Sequence, residues 1–224
     1  NLLFVGTEFG LFVSIDAGGN WAMLRGNAPY MQIRDMKLQR REQDVVMATF
    51  GRGFWILDDY SPLREITGAT LAEEARLYPL RDAYKFETVG LAPQGAAGLG
   101  PLAGNYTTPN PPSGAVFTYS IGKPLPAGTT LALSIEDASG KQFRRVMLSG
   151  TPGIHRYAWN LRGEVQTAPA GAPGAPAAPQ GGRGGGPTLP IAENGRYIAK
   201  LGKVVDGNFV QIGPAQTFSV TDVK

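Results

Sequence analysis

The turn at residues 14–21 holds the densest group of side chains that could do chemistry. Its sequence follows the pattern Ser-x-Asp-x-Gly-x-Asn-Trp, carried by Ser14, Asp16, Gly18, Asn20 and Trp21. A carboxylate in such a turn can accept hydrogen bonds from nearby backbone N–H groups, glycines allow positive φ, and an indole can cover the turn. Asp16 could instead bind a cation or act as a catalytic acid, but the motif holds no second carboxylate. The pattern favours a structural clamp between two strands.

Arg52 is the next candidate, because it lies between two glycines and precedes Phe54 and Trp55. An arginine on such a turn could present its guanidinium to a ligand carboxylate. The alternative, which we favour, is a turn between strands in which Arg52 pairs with an acid at residues 58–59. In the same way, Phe50, Phe54 and Trp55 are predicted to form core between neighbouring sheets instead of a ligand platform.

Composition excludes several classes of site. The 224 residues contain no cysteine and a single histidine, His155, which excludes disulfides and thiolate catalysis and argues against zinc. The net charge is +3, and no basic run exceeds the pair Arg40 and Arg41, so nucleic-acid binding is disfavoured. No stretch approaches the ~20 apolar residues that span a bilayer. We expect neither a metal ion nor a cofactor.

Short strands must position these residues in the first part of the chain. Apolar runs without helical periodicity are separated by Gly, Asn and Asp, which punctuate strands. Several runs are continuously apolar, which is typical of strands covered on both faces. The predicted strands cover residues 2–5, 11–14, 21–24, 33–38, 45–50 and 54–57.

These segments resemble the last blades of bacterial BNR-repeat, sortilin-like β-propeller proteins. The resemblance rests on LFVGTEFGL at residues 3–11, on the turn at 14–21, which corresponds to an Asp box, and on ATFGRGFWILDD at 48–59. It covers residues 1–90. It implies four-stranded blades, then a connector, then a C-terminal sandwich similar to the Ig-like domain of flagellar-hook capping proteins. Residues 1–60 supply strands for only about one to two blades.

Residues 61–113 are predicted to connect the two domains. The sequence Thr-Leu-Ala-Glu at 70–73 matches a capping box, which predicts a helix of about two turns over residues 71–77. The connector is expected to lie across the last blade. Its predicted apolar contacts are Leu71, Leu77, Tyr78 and Leu80.

A stretch without charge follows at residues 88–122. A long uncharged loop is unusual in a compact domain, and it is either a disordered linker or an extended arm that lies along another protein. We favour the arm, because apolar side chains without net charge can anchor it. The predicted partner contacts are Leu91, Leu99, Leu102 and Tyr106.

Residues 114–224 show the two-residue alternation of strands with one wet face, most clearly at residues 130–136 and 156–161. About seven such strands predict an Ig-like sandwich. A segment rich in Ala, Pro and Gly at residues 166–190 is predicted to be a surface loop. The chain is therefore predicted to be all-β, a partial propeller followed by a sandwich.

The shortage of blades leads to a functional expectation, because an incomplete propeller leaves unpaired strand edges and apolar faces in water. We expect a non-catalytic structural or protein-interaction module, an accessory or scaffold subunit on the periplasmic or extracellular side of a bacterial membrane, whose partners are other protein chains. Two alternatives stay open. The chain could be the C-terminal part of a sialidase-like glycoside hydrolase, or of a sortilin-like peptide-binding propeller, with the active or binding centre upstream.

Overall fold

The computed structural model describes residues 1–26, 28–85, 114–164 and 189–223. These residues form strands in four sheets, one short α-helix and one 3₁₀ turn. The prediction of an all-β chain is confirmed. In the described ranges, no helix is both long enough and apolar enough to cross a membrane.

Residues 1–60, which we call the first unit, form two three-stranded antiparallel sheets. The first sheet contains β1 (Leu3–Gly6), β2 (Leu11–Ser14) and β3 (Ala22–Met23). The second contains β4 (Ile33–Gln39), β5 (Asp44–Thr49) and β6 (Phe54–Leu57). Each strand matches its predicted bounds to within one residue. Each sheet has one strand fewer than a four-stranded propeller blade.

The two sheets of the first unit face each other across a shared apolar core. The sheets approach closely at Gly6, where a Cβ would lie 2.6 Å from Ile33 Cγ2. A larger residue at this position would therefore push the sheets apart. The buried residues of this core are Leu11, Ile33, Val45, Met47 and Tyr60.

The helix of the connector lies earlier than predicted. A 3₁₀ turn spans Ser61–Arg64, and the helix α1 spans Gly68–Ala72. The Thr67 side chain accepts a hydrogen bond from Thr70 N at 3.1 Å, and Thr70 Oγ1 accepts one from Thr67 N at 2.9 Å. The capping box therefore starts at Thr67, and the helix predicted over 71–77 is wrong. Beyond α1 the chain is extended, because it pairs with a distant strand, and this pairing outweighs a weak local helix signal.

The second unit is a sandwich of two sheets built from residues 75–85, 114–164 and 189–223. The smaller sheet contains β7 (Ala75–Leu77), β9 (Ala115–Ile121) and β12 (Gly153–Trp159), in the order β12-β9-β7. The strands of the larger sheet are β8 (Ala83–Lys85), β10 (Thr130–Asp137), β11 (Gln142–Leu148), β13 (Gly195–Val205), β14 (Asn208–Gln211) and β15 (Gln216–Asp222). Their order is β11-β10-β13-β15-β8, and β14 pairs with β13.

Residues 75–85 belong to this sandwich and do not lie across a blade, which corrects the prediction for the connector. β7 pairs antiparallel with β9, and β8 pairs in parallel with β15. Leu77 and Leu80 pack against the core of the second unit. The hydroxyls of Tyr78 and Ser120 share a buried hydrogen bond of 3.0 Å. The sandwich therefore starts well before residue 114.

An aromatic cluster forms the centre of the sandwich core. The rings of Phe143, Tyr197 and Phe218 surround Trp159 edge-on, with centroids 5.9, 6.0 and 6.2 Å away. The Trp159 indole donates a hydrogen bond of 2.8 Å to Arg162 O, so its polar edge is satisfied. The alternation predicted for residues 156–161 is confirmed, because the apolar members face this core and the others are exposed.

The outer face of β10 is buried at its centre and not exposed to solvent, contrary to the prediction. Ala132 and Ser134 are buried, as are the apolar residues on the opposite face. Gly202 pairs with Ala132, and the Phe209 ring lies so close that a Cβ on Gly202 would be 2.4 Å from it. The guanidinium of Arg145 stacks over the Phe209 ring at 5.0 Å. The second unit thus covers the outer face of its central strand with its own side chains.

Candidate functional site

The turn at residues 14–21 is closed by the side chains of its motif. Ser14 Oγ donates to Asp16 Oδ1 and accepts from Gly18 N, both at 2.8 Å. Asn20 donates to the same carboxylate twice, from its backbone N to Oδ1 at 2.8 Å and from Nδ2 to Oδ2 at 2.7 Å. Ser14 is itself buried. The carboxylate therefore ties the end of β2 to the start of β3.

Two details of this turn differ from the prediction. Of its two glycines only Gly18 has a positive φ, 99°, and Ala17 takes the other left-handed position at 61°. Gly19 instead leaves room for the carboxylate, since a Cβ there would lie 3.0 Å from Asp16 Oδ2. Trp21 lies beside Gly18 but remains partly exposed, so it covers the turn only in part.

The electrostatics of Asp16 fit a structural role. Its hydrogen bonds, with that from Asn20 N the largest cause, lower the pKa from 3.8 to about 2. A carboxylate that is ionised at neutral pH has no proton to give as a general acid. Among the residues the structure describes, no group of three or more His, Cys, Asp or Glu side chains is placed to hold a metal ion.

The predicted pairing of Arg52 with Asp58 or Asp59 is wrong. The guanidinium is exposed, and the structure gives it no ion pair in the described part of the chain. The four residues of β6 lie between them, and extended chain of that length spans about 13 Å. The turn is held instead by a side-chain hydrogen bond, since the Trp55 indole donates to Arg52 O at 3.2 Å.

The first sheet has an apolar outer face, which we call the first outer face. In β1, Phe4 points into the shared core, whereas Leu3 and Val5 point away from it and are 43% and 41% exposed. Val5 pairs with Phe12 on β2, and Trp21 flanks the same face beside Gly18. None of these side chains belongs to either apolar core of the described chain.

The second sheet also has exposed apolar side chains on its outer side, the second outer face, where β6 is apolar and β4 adds the charged residues Asp35 and Lys37. Trp55 packs against the core, while Phe54 and Ile56 point outward and are 77% and 54% exposed. They pair in register with Ala48 and Val46 of β5. The prediction that Phe50 and Phe54 are core is therefore wrong for the isolated chain. Both rings would be core only if a further layer covered this face.

The sheet edges of the first unit are also open. β1 and β3 each pair only with β2, and β4 and β6 each pair only with β5, among the strands described. Their outward N–H and C=O groups lack strand partners. Open edges beside apolar faces are the features by which strands recruit another layer or strand.

Two arginines of the second unit bind the first unit. Arg156 of β12 donates from Nη1 to the backbone carbonyl of Asp58 at 2.7 Å and from Nη2 to the backbone carbonyl of Asp59. Arg81 Nη1 donates to Glu42 O at 3.1 Å and lies 3.7 and 3.8 Å from the carboxylates of Glu42 and Asp44. These contacts join the two units at the ends of β4, β5 and β6.

Two features could not be found from the sequence: the contacts of Arg156 with the first unit, and the exposure of the second outer face. Arg156 lies 97 positions from Asp59 in the chain, and no local pattern links the two. The exposed face at Phe54 and Ile56 did leave a signal, since four consecutive apolar residues in a strand indicate that both faces are made for burial. The predicted arm contacts Leu91, Leu99, Leu102 and Tyr106, and most of the loop at 166–190, lie outside the described residues.

Comparison with known proteins adds no relative: the chain matches no protein-family model, no curated protein and no solved structure.

Proposed function

We propose that this chain is a non-catalytic structural or protein-interaction module, in which a pair of propeller blades is carried on an Ig-like sandwich. It serves as a subunit or segment of a larger assembly on the periplasmic or extracellular side of a bacterial membrane. One observation carries the proposal. Among the described residues, the first unit forms its apolar core on the face that its two sheets share and leaves apolar side chains exposed on both outer faces.

The first outer face is apolar, and on the second outer face β5 and β6 carry apolar residues while β4 places Asp35 and Lys37 opposite Ala48 and Val46. A soluble domain normally places polar residues on the outer face of an antiparallel sheet, and the second unit covers the outer face of β10 with Phe209 and Arg145. No side chain of the described ranges gives such cover to Leu3, Val5, Phe54 or Ile56, which are all more than 40% exposed. A stack of two sheets that leaves large apolar side chains exposed on both of its outer sides is what a propeller shows when the neighbouring blades are removed.

Site-specific photo-crosslinking in the source organism tests this proposal. A benzophenone amino acid replaces Phe54 on the second outer face and, in a separate variant, Val5 on the first. Met147 supplies the matched control, because it is 59% exposed but belongs to the sandwich unit. We expect cross-links from positions 54 and 5 to apolar strand segments of neighbouring protein, and none from position 147.

Two results would contradict the proposal. One is equal labelling at positions 54, 5 and 147, which would mean that the outer faces have no specific neighbour. The other is a native chain that sediments as a monomer and yields no cross-link from either face.

A further inference from the structure

A cleft at the end of the first unit has the chemistry of an anion-binding site. Its volume is about 370 Å³, and its walls are Leu38, Arg40, Gln43, Tyr60 and Arg64. That volume lies within the range of about 300–1,000 Å³ usual for small-molecule sites. It lies away from both outer faces, so it is independent of the proposed function.

The two arginines of this cleft carry uncompensated charge. Within the described chain, neither Arg40 nor Arg64 lies within ion-pair distance of a carboxylate. The nearby acid Glu42 is already bound by Arg41 at 2.9 Å and contacted by Arg81 at 3.7 Å. Two guanidiniums on one cleft without counter-ions attract an oxyanion, because their planar N–H edges match its geometry.

A neighbouring cavity shows that this charge pattern is particular to the cleft. The second cavity, of about 220 Å³, is lined by Arg41 and Arg81 together with Glu42, Asp59 and Asp82. Its arginines pair with acids inside the same wall, so its charge is largely neutralised.

The cleft is also held in shape before any ligand arrives. Tyr60 is buried, its ring packs edge-on against Phe4 at 5.7 Å, and its backbone N donates to Gln43 O at 2.7 Å. The Arg64 guanidinium lies over the Tyr60 ring at 5.2 Å, with Nη2 3.5 Å from the hydroxyl. A guanidinium stacked on a fixed ring loses less freedom on binding than a free one.

The remaining wall selects the organic part of the ligand. The Leu38 side chain is half exposed at the edge of the cleft, next to Arg40. An apolar group attached to the oxyanion would cover it. We propose that this cleft binds a small organic oxyanion, a carboxylate or a phosphate monoester carried on an apolar group.

Calorimetric titration of the folded chain with three naphthalene compounds tests the proposal. 1-Naphthoate and 1-naphthyl phosphate carry the two oxyanions, and 1-naphthalenemethanol is the neutral analogue. We expect at least one anion to bind about tenfold or more tightly than the alcohol, with affinity falling as salt is added. The stronger of the two anions identifies the head group that the cleft prefers.

Substitutions then locate the binding. Arg40→Gln and Arg64→Gln should each weaken anion binding by about tenfold, the loss of one charged hydrogen bond. Arg34→Gln is the matched control, because Arg34 is also exposed and lies over an aromatic ring, Phe50, at 5.0 Å, but lines neither cavity. Arg40 is exposed and its side chain forms no ion pair within the part of the chain that the structure describes, so its variant separates binding from stability.

Three outcomes would overturn the proposal. They are no anion binding up to millimolar concentration, equal binding of the neutral alcohol, and an affinity that Arg40→Gln leaves unchanged or that Arg34→Gln lowers as much.

Discussion

Replacing Phe54 and Ile56 together by serine should leave the isolated chain folded. Because Phe54 is 77% exposed, the folded chain buries only about 50 Å² of an aromatic residue of about 200 Å². At ~25 cal/mol/Å² that burial is worth about 1 kcal/mol. Ile56, which is 54% exposed, adds a similar amount. The double variant should therefore lose no more than about 2 kcal/mol of unfolding free energy.

Met47→Ala is the control on the opposite face of the same sheet. Met47 is buried in the core of the first unit and pairs with Trp55. Truncation of a buried methionine leaves a cavity and costs about 2–5 kcal/mol. Both variants remove apolar atoms from neighbouring strand positions. Only Met47→Ala should cost much unfolding free energy, because only the core side of the sheet is covered.

Self-association should be weakened by the double serine variant and not by Met47→Ala, the reverse of their order of effect on stability. Full cover of the remaining ~150 Å² of Phe54 would be worth up to about 4 kcal/mol, or about a thousandfold in an equilibrium constant, before the entropy of association is subtracted. We expect the wild-type chain to self-associate with rising concentration, and the double serine variant to do so at least about tenfold more weakly. Met47→Ala should leave association of the folded chain unchanged.

Urea unfolding followed by tryptophan fluorescence measures the stabilities, and sedimentation velocity over a concentration series measures the association. The reasoning fails if the double serine variant is destabilised as much as Met47→Ala, since Phe54 and Ile56 would then be core of the isolated chain. It also fails if the serines leave self-association unchanged.

Three further changes test the contact between the two units, the turn at residues 14–21, and the packing of the two sheets of the first unit. Arg156→Met should cost about 2 kcal/mol of coupling between the units and split the unfolding transition in calorimetry, whereas Arg196→Met, at an exposed arginine, should not. The hydrogen bonds that lower the pKa of Asp16 to about 2 stabilise the ionised form, so stability is retained above pH 3.8 and lost as the pH falls toward 2; urea midpoints of Asp16→Asn should decline less over that range. Gly6→Ala would place a Cβ 2.6 Å from the facing sheet and should cost about 1–3 kcal/mol in urea unfolding, while Gly68→Ala, with open space around it, should not destabilise.

The strands of the first unit could be predicted because their signals are local. Apolar runs broken by Gly, Asn and Asp placed all six to within one residue, and the Ser14–Asp16–Asn20 hydrogen bonds are contained in a single turn. The segment at residues 75–77 was beyond such reasoning. The capping box just before it favours a helix that continues through it, and only pairing with β9, far along the chain, makes it a strand.

The exposure of Phe54 could not be predicted for a different reason. A continuously apolar strand indicates that both of its faces are buried in the functional protein, but it does not indicate whether the covering residues belong to the same chain. Arg156 was missed because its acceptors are backbone carbonyls, which carry no sequence signal. The sequence therefore predicts which strand faces are apolar, but it does not predict what packs against them.

The arginine contacts explain how the first unit can keep two uncovered faces and stay folded. Its own core lies between two three-stranded sheets, whereas the sandwich buries a large aromatic cluster around Trp159. A small core leaves little margin for uncovered apolar surface. Arg156 and Arg81 attach the ends of β4, β5 and β6 to the sandwich, which has the larger core, so the first unit does not have to be stable alone. A neighbour that covers the outer faces would then stabilise the first unit selectively, because it binds only the folded sheets.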